Sequence, residues 1–366
     1  MSLEQRITHA WQQDSLWLKL LLPLSWLFRA VSGLRRGYLQ CRYQSQSQIF
    51  AAPVIIVGNI SVGGSGKTPL IVALVSALKQ RGFKPGVVSR GYGGKAASYP
   101  LDVDAQTAVA ESGDEPLLIA QLAQCPLVVG ADRSAAVSYL LSHHDCDLVL
   151  SDDGLQHYRL HRDIEIVVID GQRGFGNGRC LPAGPLREAP ERLGQADFVV
   201  VNGNPSCALD LGDMPREQMA IAPRRMTHLC SGESQPIEQW LAEHFLKEPV
   251  LKELLLKEPL LKDQAAKRVH AVAAIGNPQR FANTLEQLGL DVQLHGHDDH
   301  QALTAADLAF DDNLPVIITA KDGVKLVAGG NSSIADNIWV LEIEAVIEDH
   351  FIDRLTAQLQ SVKTAD

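Results

Sequence analysis

The chain has 366 residues, 33 Lys and Arg against 43 Asp and Glu for a net charge of −10, and hydrophobic and charged fractions of 46% and 21%. Those fractions exclude a disordered or collagenous chain, and the length allows one very large domain or two ordinary ones. The acidic balance argues against nucleic acid as a partner, because coating phosphates needs a basic surface.

Residues 1–50 depart from that balance. Arg6, Lys19, Arg29, Arg35, Arg36 and Arg42 stand against only Glu4 and Asp14, a net +4 that leaves −14 for the remainder. The six cysteines, Cys41, Cys125, Cys146, Cys180, Cys207 and Cys230, form no CxxC pair. That spacing suits neither a disulfide framework nor a zinc site, and a reducing cytoplasm fits it best.

The most apolar stretch is Leu16 to Val31, but Lys19 and Arg29 enclose only nine uncharged residues, interrupted by Pro23. A bilayer-spanning helix needs roughly 20 apolar residues, and the stretch lacks the layout of a cleavable signal. On a helix at about 100° per residue, Ser15, Lys19, Arg29 and Arg36 share one side, while Trp17, Leu20, Leu24, Leu27 and Val31 supply apolar surface elsewhere. The pattern fits a helix lying in a membrane interface, its basic residues toward anionic lipid. An amphipathic helix packed on the protein's own core is the other reading. The two are compatible, since Pro23 disfavours one continuous helix.

From Ala52 onward, short β-branched runs alternate with helical stretches. Residues 53–57, 84–89, 127–129, 146–151, 165–170 and 197–202 read as strands, and residues 67–81 as a helix. Such alternation predicts an α/β fold, a mainly parallel sheet flanked by helices on both faces. Between residues 231 and 267 the composition shifts to Leu, Lys, Glu and Pro, and the Leu-Lys-Glu-Pro of residues 246–249 recurs at 256–259. Two copies do not make a solenoid. Strand-like runs resume at 269–275, 315–319 and 338–343. The expected organisation is an N-terminal amphipathic, interfacial helical segment (1–45), a nucleotide-binding core (46–225), a linker or insertion (226–267) and a second, smaller α/β domain (268–366).

After the first predicted strand comes Gly58-Asn59-Ile60-Ser61-Val62-Gly63-Gly64-Ser65-Gly66-Lys67-Thr68-Pro69. Such a P-loop turns backbone N–H groups of Gly63, Gly64, Ser65 and Gly66 toward a polyphosphate. Lys67 then reaches the β and γ phosphates, and the Thr68 hydroxyl ligates Mg²⁺. Ser61 stands where the motif has Gly. Position 62 is Val where a dimer-forming variant of the loop has Lys, and a monomer is expected. The run 147–151 ends in Asp152-Asp153, a Walker B arrangement in which one of the two carboxylates holds Mg²⁺.

Further polar motifs fall where a doubly wound sheet binds ligands, at the carboxyl ends of its strands. Arg90, in Ser89-Arg90-Gly91-Tyr92-Gly93-Gly94, suits the stabilisation of phosphoryl charge. Asp114, in Ser112-Gly113-Asp114-Glu115-Pro116, suits acceptance of a hydroxyl proton. Gly154 to Arg159 extends the aspartate pair, and 174–188 is a long Gly, Pro and Arg loop of the kind that binds ligands. The run 295–300, His-Gly-His-Asp-Asp-His, reads as a metal cluster, a solvated loop, or one His that assists catalysis.

These motifs resemble the lipid A 4′-kinase family: GNISVGGSGKTP (58–69), SRGYGG (89–94), SGDEP (112–116), SDDGLQH (151–157), LPAGPLRE (181–188), DHQAL (299–303) and TAKDGVKL (319–326). Only the first is generic to P-loop proteins. The resemblance implies a P-loop NTPase-like kinase with ATP and Mg²⁺ as cofactors. It would phosphorylate the 4′-hydroxyl of the lipid A disaccharide precursor from the cytoplasmic face of the inner membrane, as a peripheral protein. It also implies Asp114 as the base, His300 coupled to it, and Lys67, Thr68, Asp152 and Asp153 on phosphate and metal. Arg90, Tyr92, Glu115, Gln156, His157 and Arg187 would line the site. The same P-loop and aspartate pair would serve an NTPase switch, from which dependence on a lipid acceptor separates a kinase.

Overall fold

The computed structural model describes residues 3–13, 15–43, 49–205, 209, 211, 215–245, 267–299, 301–328 and 336–365. His300 and the Leu-Lys-Glu-Pro copies lie outside these. The chain divides into two compact units, one of Met1–Ile221 with Ala345–Asp366 and one of Ala222–Glu344.

The first unit opens with α1 (Leu3–Gln13), a 3₁₀ turn (Leu16–Leu21) and α2 (Leu22–Tyr43). Pro23 falls in the first turn of α2, where a missing N–H breaks no helical hydrogen bond. Its strands are β1 (Val54–Gly58), β2 (Pro85–Ser89), β3 (Leu101–Asp102), β4 (Leu127–Val129), β5 (Leu148–Asp152), β6 (Ile164–Asp170), β7 (Phe198–Asn202) and the start of β8 (Arg216–His228). They lie in the order β3-β4-β2-β5-β1-β6-β7-β8, parallel throughout except for antiparallel β3. Every residue of β1, β2, β5, β6 and β7 is buried. Helices cover both faces of such a sheet, and strands buried on both sides read as unbroken apolar runs.

Among the covering helices are α3 (Lys67–Gln80), the single turn α4 (Val109–Ser112), α5 (Asp114–Ala123) and α6 (Arg133–His143). Leu70, Ile71, Leu74, Val75 and Leu78 of α3 are buried at the spacing of one helical face. Val137 and Leu140 of α6 join Val54, Ile56, Val88, Val149 and Val167 in a common core cluster. Parallel strands with helical crossovers bring the strand ends that follow β1, β2, β5, β6 and β7 to one edge, where the polar motifs lie.

In the second unit β9 (Ser234–Pro236) and α7 (Ile237–Phe245) precede a parallel set of β10 (Arg268–Ala273), β11 (Asp291–Gly296), β12 (Val316–Thr319) and β13 (Ile338–Ile347), ordered β11-β10-β12-β13. It also carries α8 (Pro278–Gln287) and α9 (Ala320–Ala328). Buried Asp322, at the start of α9, accepts hydrogen bonds from Ala274 N (3.1 Å) and Thr319 Oγ1 (2.7 Å), which ties α9 to the end of β10. The final helix, α10 (Asp349–Ala365), belongs to the first unit. Its Phe351 meets Phe198 of β7 edge to face.

Candidate functional site

The P-loop links β1 to α3. Gly63 and Gly66 adopt φ of +91° and +95°, which glycine reaches without steric cost. At Gly66 a second demand applies: an added Cβ would stand 2.3 Å from Asn202 Nδ2. Asn202, buried at the end of β7, donates from Nδ2 to Ser65 O (3.0 Å) and so buttresses the loop. Ser61, the motif's departure, has no positive φ. It forms an isolated bridge with Leu186, and extended backbone there tolerates a side chain. Val62 N donates to Pro185 O (2.9 Å) and Arg187 N to Ile60 O (2.7 Å), so the 181–188 loop is laced onto the P-loop.

Asp153 follows β5 with φ of +46°, an uncommon conformation for a residue with a side chain. Its carboxylate lies 3.4 Å from Lys67 Nζ and 3.2 Å from Arg187 Nη1. Burial opposes its ionisation, but Lys67 and Arg187 outweigh that and hold its pKa below the usual carboxylate value. Asp152, the last residue of β5, is different. It is buried and accepts a hydrogen bond from Ser89 Oγ (3.0 Å). Burial, with the nearby charges of Glu115 and Asp153, raises its pKa to about 6.

Gln156 donates from Nε2 to Asn59 O (3.1 Å) and Glu188 Oε1 (2.9 Å), so it braces the start of the P-loop. His157 is held neutral: burial and the neighbouring Arg133 and Arg90 lower its pKa to about 4. The sequence reading missed Arg133. This buried arginine at the start of α6 donates to Gly130 O (2.8 Å) and Asp152 O (3.1 Å). Its only sequence signal is Asp132-Arg133 at the start of α6, where Asp132 caps the helix by accepting from Ala135 N.

The SRGYGG and SGDEP motifs form one element. A Cβ at Gly94 would stand 2.3 Å from Glu111 O and one at Gly113 2.4 Å from Tyr92 O. Lys95 N also donates to Ala110 O (2.7 Å). Backbone thus lies on backbone, which leaves Arg90 and Tyr92 exposed and sets buried Asp114 at the first position of α5. The positive end of that helix favours a carboxylate there, and Asp114 Oδ1 accepts from Glu115 N (2.9 Å).

The structure therefore brings Lys67, Asp152, Asp153, Glu115 and Arg187 together by ion pair or field, and places Arg90 and His157 beside Arg133. Asp114 sits at the head of α5 and Thr68 in the first turn of α3, while His300 is outside the described residues. Ser65 Oγ is buried without a hydrogen-bond partner, as suits a loop shaped for a phosphate. Among the described residues no three His, Cys, Asp or Glu side chains gather as a metal site. A hydroxyl and two crowded carboxylates nonetheless suit Mg²⁺, which is held by one or two carboxylates together with substrate phosphates.

A family model described as tetraacyldisaccharide-1-P 4′-kinase matches residues 17–360. The tetraacyldisaccharide 4′-kinase of Hahella chejuensis is 40% identical over 362 residues, 98% of this chain and 97% of its own. That of Pseudomonas fluorescens is 43% identical with the same coverage. The crystal structure of LpxK from Aquifex aeolicus in complex with ATP superposes with a TM-score of 0.71 at 25% identity, over 94% of this chain and 99% of that one.

Proposed function

The chain belongs to the tetraacyldisaccharide-1-P 4′-kinase family, and from this we infer that it transfers the γ-phosphoryl group of ATP to the 4′-hydroxyl of a tetraacyldisaccharide 1-phosphate, a step of lipid A synthesis. The observation that carries this reading to named residues is the meeting of Lys67, from the P-loop, and Arg187 at the Asp153 carboxylate.

In the proposed reaction the 4′-oxygen forms a bond to the γ-phosphorus as the bond to the β–γ bridging oxygen breaks, and ADP leaves with that electron pair. Asp114 takes the hydroxyl proton, and His300 assists it. Gly63 to Gly66 present N–H groups to the phosphates while Lys67, steered by Asp153, spreads the γ-phosphoryl charge. Thr68, Asp152 and Asp153 are the residues that would hold Mg²⁺, which neutralises phosphate charge when bound. Arg90, Tyr92, Glu115 and Arg187 border the acceptor, and Gln156 and His157 shape its floor.

The N-terminal helices supply the membrane contact in this reading. Leu16, Trp17, Leu20, Leu24, Leu27, Val31, Leu34 and Tyr38 are all exposed, in a stripe at helical spacing. The stretch Leu16–Arg42 is long and apolar enough to cross a bilayer by length and composition, yet its other face is tied to the protein. Ser25 Oγ donates to Cys180 O and accepts from Ala183 N, both at 2.9 Å, while Arg36 donates to Gln195 and lies 3.8 Å from Glu188. A crossing helix would forfeit these bonds. An in-plane helix on the cytoplasmic leaflet of the inner membrane keeps them and buries the stripe in lipid.

The test is purified protein with γ-labelled ATP, Mg²⁺ and the disaccharide 1-phosphate in detergent micelles, beside a lipid-free control. Label should enter the lipid and disappear in Lys67→Ala. Phosphate release at one rate with and without lipid would refute the kinase reading in favour of an NTPase switch.

A further inference from the structure

Resting on that kinase reading, we propose that Arg173 is a further catalytic residue, an arginine supplied by the chain itself that binds the terminal phosphates of the nucleotide over the P-loop. β5 brings Asp153 to one side of β1, and β6 brings Arg173 to the other. β6 ends at Asp170, which is buried. Its Oδ1 accepts from Gln172 N (2.9 Å) and Arg173 N (3.1 Å), and its Oδ2 lies 3.3 Å from Arg173 Nη2. This tight turn lays the guanidinium on the P-loop, where Nη2 donates to the Gly64 carbonyl.

The fit extends to Gly63. A Cβ there would stand 2.8 Å from Arg173 Nη1, so any larger residue at that position would displace the arginine. Because Nη2 serves both Gly64 and Asp170, the Nη1 edge is turned toward Gly63, in the part of the loop whose N–H groups cradle phosphates. Lys67 and Arg187 share Asp153, and Arg133 donates to the carbonyls of Gly130 and Asp152, so Arg173 adds its charge from the opposite side of the loop. A planar guanidinium engages phosphate oxygens two at a time. One placed here stabilises the charge that spreads over the γ-phosphoryl group during transfer. Asp170 is its positioning residue.

The experiment compares wild type, Arg173→Ala, Arg173→Lys, Asp170→Asn and the Asp170→Asn/Arg173→Ala double variant. Labelled-phosphate transfer in micelles gives kcat and KM, and calorimetry on lipid-free protein gives ATP and ADP affinities. Arg173→Ala should lower kcat roughly 100-fold or more, keep the acceptor KM within about twofold, and weaken ATP binding more than ADP binding. Arg173→Lys should fall between it and wild type. Asp170→Asn should lower kcat alone but add nothing in the double variant.

A kcat within twofold of wild type in Arg173→Ala, with ATP and ADP weakened equally, would make the arginine a mere brace for Gly64 and overturn the proposal. If Arg173→Ala does not give a cooperative melting curve, Arg173→Lys decides by the same criteria. Should wild type fail to label lipid, the kinase reading falls. The ATP-over-ADP comparison then still decides whether Arg173 meets the terminal phosphate.

Discussion

Asp152 and Asp153 are chain neighbours in opposite environments. Asp153 has two cationic partners and a lowered pKa, whereas Asp152 is enclosed among other carboxylates and raised to about 6. The consequences for stability have opposite sign. A carboxyl raised in the folded state stabilises that state below its unfolded pKa, and the contribution is lost as pH climbs through about 6. A depressed carboxyl contributes above its unfolded pKa and is lost as the medium turns acid. Asp152→Asn should therefore raise the melting temperature of nucleotide-free protein at pH 7.5 by about 2–4 °C and flatten its decline between pH 4 and 6. Asp153→Asn should destabilise by about 1 kcal/mol, a modest cost because the pair is partly solvated. Both should lose activity roughly 100-fold. Melting curves across pH check the signs, and equal shifts for both variants would contradict the account.

At the level of elements, α2 has one face bonded to the protein and one exposed. Replacing Leu20, Leu24 and Leu27 with Glu should leave the melting temperature unchanged, since all three are exposed. It should weaken partition onto lipid vesicles by at least tenfold, because each buried leucine contributes about 1.5–3 kcal/mol. Vesicle flotation measures this, and unchanged partition would exclude the in-plane helix. Elements with strong local signals were legible in the sequence: the apolar runs of β1, β2, β5, β6 and β7, and the helix after the P-loop. β8 was not, because Pro223 lies within its 13 residues and proline argues against a strand interior. β11 was missed as well, since its only apolar side chains, Val292 and Leu294, are half-buried and none of its six residues is fully buried. The site was legible wherever residues sit next to one another in a motif. Asn202, Arg133 and Arg173 escaped, because each reaches the P-loop or Walker aspartates from outside their motifs: Asn202 from the end of β7, Arg133 from the start of α6 and Arg173 from the turn after β6. Nor could the sequence tell that Ser61 needs no glycine, which depends on its bridge to Leu186.

For the whole molecule, the uneven charge acquires a physical purpose. A chain of net −10 is repelled by an anionic leaflet, yet residues 1–50 carry +4, so attraction must act through that segment alone. Four of its six basic residues fall into two classes. Arg29 and Arg36 are engaged with Glu191, Glu188 and Gln195, whereas Lys19 and Arg35 are exposed beside the apolar stripe. A basic residue near an anionic surface contributes about 1 kcal/mol. Lys19→Gln with Arg35→Gln should therefore weaken binding to anionic vesicles roughly 30-fold, about 2 kcal/mol, while binding to zwitterionic vesicles barely changes. High salt should erase the difference between variant and wild type, because screening removes the same attraction that the substitutions remove. Sedimentation with vesicles of the two compositions at low and high salt makes the comparison. An equal loss on both kinds of vesicle would mean that the two residues act through packing, and that the charge of the N-terminal segment does not draw this kinase to anionic lipid.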